Sequence, residues 1–89
     1  MTRAALMLYM VAMPPPEFDK PYTGRLEIQY VDPHKVTALC GGKRIVQACA
    51  IVGDGWCRII FPHNTGVYPK KKLELFMRHE IAHCNGWEH

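Results

Sequence analysis

Only one stretch of this chain has the length and period of a full helix, and it lies towards the C-terminal end. From Pro69 onward, Leu73, Met77, Ile81 and Cys84 recur at three- and four-residue steps with Phe76 beside them, the spacing of a helix that buries one stripe. Pro69 suits a first turn, where its missing N–H leaves no bond unmade. Asn85 and Gly86 are the residue types that end helices in left-handed backbone. The spacing therefore predicts one helix running to about Cys84. Lys70, Lys71 and Lys72 open it against the helix macrodipole, so they are expected to be solvated.

The runs before that helix are short and alternate. Residues 25–31 set Leu26, Ile28 and Tyr30 against Glu27 and Gln29, the period of a strand with one buried face, and Asp32-Pro33 ends the run. Residues 36–40, 44–52 and 56–61 are further strand candidates, divided by Gly41-Gly42 and by the turn signal Gly53-Asp54-Gly55. The expected fold class is α+β: a small antiparallel sheet of three to four strands packed against one C-terminal helix. A chain of 89 residues has room for one domain, residues 1–89, and one modest core. Domains of this size draw on a disulfide or a metal for extra stability.

At the other end, residues 4–13 form an apolar run behind Arg3. The run is too short to span a bilayer and lacks a clean small-x-small cleavage site. It reads as a first or edge strand, with a weak secretion signal as the alternative. Pro14, Pro15 and Pro16 then enforce an extended linker. No integral membrane segment is expected. The net charge of +3 is mild, and no aromatic residues interleave the lysine run, so no nucleic-acid partner is expected either.

Cys40, Cys49, Cys57 and Cys84 contain no CxxC pair, which argues against a zinc ribbon or finger. They are free thiols or disulfides. Cys49 and Cys57 flank the Gly53-Asp54-Gly55 turn, where the two arms of a hairpin would bring them close; Cys40 with either of them is equally open. Cys84 projects about a hundred degrees from His83, toward the apolar stripe, which suits core packing or a disulfide. Bridged cysteines would place the chain outside the cell or in a periplasm, free thiols in the cytoplasm.

The chemistry is concentrated in the last eleven residues, His79-Glu80-Ile81-Ala82-His83-Cys84-Asn85-Gly86-Trp87-Glu88-His89. Histidines four apart stand one helical turn apart on the same face, where both imidazoles reach one zinc ion. Gly86 lets the backbone leave the helix sharply and return His89 to that ion. Three nitrogen ligands leave one tetrahedral position open for water, the arrangement of a catalytic site. Glu80 falls between the histidine face and the apolar stripe, placed to act as general base and then acid. A shuffled chain of this composition would show the full pattern on the order of once in ten thousand.

The pattern His79-Glu80-x-x-His83-x-x-Gly86-x-x-His89 resembles the zinc signature of the metzincin metallopeptidases, and the likeness covers these eleven residues. The ending is also similar to that of very short bacterial or phage-type predicted peptidases. The resemblance implies one zinc ion on His79, His83 and His89, a general base at Glu80, and a peptide or protein substrate aligned along a sheet edge. Residues 56–61 are the expected edge, with Pro62-His63-Asn64 as its rim. No methionine turn of the family's kind is expected after His89. The rival readings are a non-catalytic zinc-binding interaction module and a zinc amidase acting on cell-wall crosslinks. His34 and His63 stand outside ligand spacing, and Tyr30 and Tyr68 suit the core better than an oxyanion. Oligomeric state is not legible in the sequence.

Overall fold

The computed structural model describes residues 12–89, and the reading of residues 4–13 as a strand or signal falls almost wholly outside them. The elements, in chain order, are β1 (Arg25–Val31), a 3-10 turn (Pro33–Lys35), α1 (Val36–Leu39), β2 (Cys49–Val52), β3 (Trp56–Pro62) and α2 (Lys70–Cys84). The three strands form one sheet in the order β1-β3-β2, and α2 packs against β2 and β3. The expected α+β class, with a C-terminal helix on a small sheet, is therefore the observed one.

The sheet is mixed rather than antiparallel throughout. β2 and β3 form the expected antiparallel hairpin about Gly53-Asp54-Gly55, with Val52 opposite Cys57. Gly53 is required there, because a Cβ on it would meet the Trp56 ring. β1 runs parallel to β3, Arg25 opposite Trp56 and Val31 opposite Pro62. Alternation in a sequence reveals a strand but not its partner, so β3 takes the central place between two strands that precede it. Trp56 to Pro62 is thus not an edge, contrary to the expectation for residues 56–61; among the described residues the edges are β1 and β2.

Residues 36–39 are helical and Cys40 caps them, so 36–40 is not a strand. Asp32 accepts the His34 N–H at 2.8 Å and Pro33 stands at the first position of the 3-10 turn, so the pair that ends β1 also starts a helix. The candidate strand at 44–52 shortens to Cys49–Val52. Upstream of it, Thr37 Oγ1 donates to Val46 O at 3.2 Å and accepts from Val46 N at 3.1 Å, which ties the loop to α1 instead of to a neighbouring strand.

The core lies between the sheet and α2. Cys57, Ile59 and Phe61 project from one face of β3 and meet Phe76 and Cys84, with Leu73, Met77 and Ile81 packed around them, the helix face that the sequence stripe marks. β1 takes little part in this packing: of the three residues expected on its buried face, Ile28 packs against the core while Leu26 and Tyr30 remain 36% and 51% exposed.

Two disulfides close the fold, Cys40–Cys49 and Cys57–Cys84. The hairpin pair Cys49 and Cys57 does not form. The first bridge fastens the end of α1 to the start of β2; the second joins the central strand to the last residue of α2. Loops of 9 and 27 residues correspond to about 2.5 and about 3.5 kcal/mol of chain-entropy stabilisation. Two bridges favour an oxidising location outside the cytosol. Among the described residues no helix is long and apolar enough to cross a membrane.

Candidate metal centre

The last helical turn and the chain beyond it form a helix stop of the Schellman type. Gly86 N–H bonds His83 O at 3.0 Å and Trp87 N–H bonds Ala82 O at 3.1 Å, with Gly86 at φ 105°. A side chain there would be strained, as the sequence anticipates for Gly86. This turn reverses the backbone and brings His89 back over α2.

The three histidines converge. Nε2 of His79 lies 3.1 Å from Nε2 of His83 and 3.2 Å from Nε2 of His89, and the remaining pair is 3.0 Å apart. Three nitrogens on one tetrahedral zinc at ~2.0–2.1 Å stand roughly 3.3–3.4 Å from one another, so the triangle is close to the size a single ion needs.

The partners of the other ring nitrogens fix the protonation. His79 Nδ1 lies 2.8 Å from Ala12 O, and His83 Nδ1 lies 2.7 Å from Trp87 O. A carbonyl only accepts, so both Nδ1 atoms carry the proton and, in the neutral rings, both Nε2 atoms present bare lone pairs. Two lone pairs facing each other at 3.1 Å repel unless a cation lies between them. The pattern of ring N–H bonded to a backbone carbonyl is the outer-shell arrangement of metal-ligating histidines. Burial pushes His79 below the ordinary imidazole value, ahead of its neighbours' charges, which keeps the neutral, ligating form. His79, His83 and His89 are placed to hold one metal ion.

Glu80 is 7% exposed and lines the same cleft as the histidines. Burial raises its carboxyl from 4.5 to about 7, with no opposing charge or hydrogen bond among the described residues. A carboxyl poised there exchanges a proton near neutral pH. The cleft, about 1020 Å³, runs between α2 and β2 with the loop before it, and Val46, Ala50, Tyr68 and Phe76 line its walls.

Searches of protein families, curated proteins and solved structures found no match to this chain. The site therefore has to be understood from its own geometry.

Of the other residues weighed from sequence, Tyr68 lines the cleft and meets Phe76 edge-on at 5.1 Å. His63 stacks on Tyr30 at 6.0 Å, on the β1 side of the sheet, and neither lines the cleft. Pro62-His63-Asn64 is no rim to it. Sequence reading missed three contributors. β2, not β3, flanks the cleft. Ala12 supplies a carbonyl to His79, a backbone role that leaves no trace in residue identity. Residues 18–20 clamp the helix end, with Asn85 Nδ2 donating to Phe18 O and Lys20 O at 3.1 and 2.7 Å and Arg78 pairing with Asp19.

Proposed function

We propose that this chain is a zinc-dependent peptidase of an oxidising compartment, secreted or periplasmic, with His79, His83 and His89 holding zinc and Glu80 acting as general base. The observation that carries the reading is the pair of carbonyl-fixed imidazoles whose bare Nε2 atoms face one another at 3.1 Å in the cleft that also holds a buried carboxyl. Zinc in that position supplies Lewis acidity toward a water and the scissile carbonyl.

The chain's own residues supply the rest. Glu80 takes the proton of the attacking water and returns it to the leaving amine, a transfer suited to a carboxyl near 7. Val46, Ala50 and Phe76 offer apolar surface for a substrate's side chains in the cleft. Among the described residues β2 is an edge strand, so its outer backbone groups are available to an extended peptide. Arg44 and Lys72 also line the cleft.

Glu80→Gln separates this reading from its rivals. Wild type and variant are expected to bind equal zinc, with cleavage of unfolded protein and of a peptide library reduced at least about 100-fold in the variant. Zinc binding by both with no cleavage by either would leave a non-catalytic zinc module, and cleavage confined to cell-wall crosslinks would make the chain an amidase.

A further inference from the structure

We propose that Trp87 is a positioning residue of the metal centre, its indole forming the shared wall against which all three imidazoles are oriented. This rests on the metal reading above and adds a requirement to it: an aromatic face at residue 87.

The motif spacing leaves residue 87 unspecified, yet its ring is the meeting point of the three histidines. The indole stacks on His83 at 5.1 Å with an interplanar angle of 14°, lies 5.0 Å from His79 at 70°, and 4.7 Å from His89 at 46°. Its backbone is fixed at the same time. The Trp87 N–H completes the helix stop on Ala82 O, and the Trp87 carbonyl accepts the His83 Nδ1 proton at 2.7 Å. One residue thus holds His83 twice. The carbonyl sets the tautomer and direction of the ring, and the stacked indole sets its plane.

The same placement links the two kinds of ligand. His79 and His83 belong to α2, while His89 arrives from the chain beyond Gly86, with only Trp87 and Glu88 between. An indole packed on both sets limits the rotation of each imidazole about its χ angles, so the three rings give up less freedom when they close on one ion. An electron-rich face also suits imidazoles that gain positive character when they ligate a cation. A shape-only filler would provide the first effect in part and the second not at all.

The test compares Trp87→Phe, Trp87→Leu and Trp87→Ala in the full-length, disulfide-bonded protein, with zinc affinity and the visible spectrum of the cobalt(II)-loaded protein as readouts. Disulfide formation and far-ultraviolet circular dichroism establish that each variant folds. Trp87→Ala is expected to weaken zinc binding about 10–100-fold, the range for lost outer-shell partners, and to diminish the intense tetrahedral cobalt bands. Trp87→Phe should retain both properties to within about threefold, and Trp87→Leu, which fills space without an aromatic face, should fall between Phe and Ala and nearer to Ala. If Trp87→Ala fails to fold, the Phe and Leu pair carries the comparison. Equal affinity and spectrum for Phe and Leu overturn the aromatic requirement, and a Trp87→Ala protein that binds like wild type overturns the positioning role. Wild-type protein that binds no metal overturns this proposal together with the reading beneath it; normal wild-type binding with unaffected variants overturns this proposal alone.

Discussion

The two histidines on α2 and the one beyond it reach the same point by different means. His79 and His83 stand on a helix whose last residue is bonded covalently to the central strand, and each donates its Nδ1 proton to a backbone carbonyl. His89 is exposed, and it reaches the triangle through a left-handed glycine and the wall of Trp87. A rigid pair and a returning arm together make a site that is largely preformed on one side and adjustable on the other. The helical pair should govern whether metal binds, and His89 how tightly.

The widest effect should separate those two groups. His79→Ala or His83→Ala is expected to weaken zinc binding by well over about 100-fold, since each removes a preoriented ligand, whereas His89→Ala should cost roughly 10–100-fold because water can enter its exposed position. Competition titration with a chelating dye reads both. Equal losses at all three positions would erase the distinction between pair and arm.

Next in size is the cost of the buried carboxyl beside the helical pair. In the metal-free protein burial favours protonated Glu80, with the carboxyl at about 7 against 4.5 when unperturbed. Its contribution is fully present below pH 4.5 and is lost as pH rises through 7, up to about 3 kcal/mol in all. Denaturant unfolding of metal-free Glu80→Gln should therefore lose less stability than wild type between those values. Parallel curves for the two proteins would mean that Glu80 is solvated.

The smallest effect should come from the hinge of the arm. Gly86→Ala places a Cβ at φ 105°, and the strain should cost about 1–2 kcal/mol, seen as a lower thermal midpoint and a several-fold weaker zinc affinity. An unchanged affinity would show that the return of His89 does not depend on that turn.

The convergence of the three histidines was legible in the sequence because it is local. His79, His83, Glu80 and the glycine hinge all lie within eleven residues, where spacing translates directly into geometry. The partners that complete it are distant or backbone atoms. The Ala12 carbonyl is 67 residues from His79, and no side-chain pattern announces it. Trp87 did leave a signal, since the position after a left-handed glycine commonly takes an apolar residue that packs on the helix. The fold was legible in its elements and not in their pairing. β1 and the C-terminal helix follow from period, but parallel pairing of β1 with β3 is set by which strand fills the sheet centre, and alternation is blind to that. Asp32-Pro33 carried two meanings, the end of a strand and the start of a helical turn, and the second sent residues 36–39 into α1.

One chain is expected to hold one zinc ion through three converging imidazoles. Isothermal titration of the oxidised, metal-free protein with zinc tests it most directly. One equivalent should bind per chain, with affinity falling as acid protonates the imidazoles, and His83→Ala should show no comparable binding. Wild-type protein that takes up no zinc, or a His83→Ala protein that takes it up equally well, would contradict it.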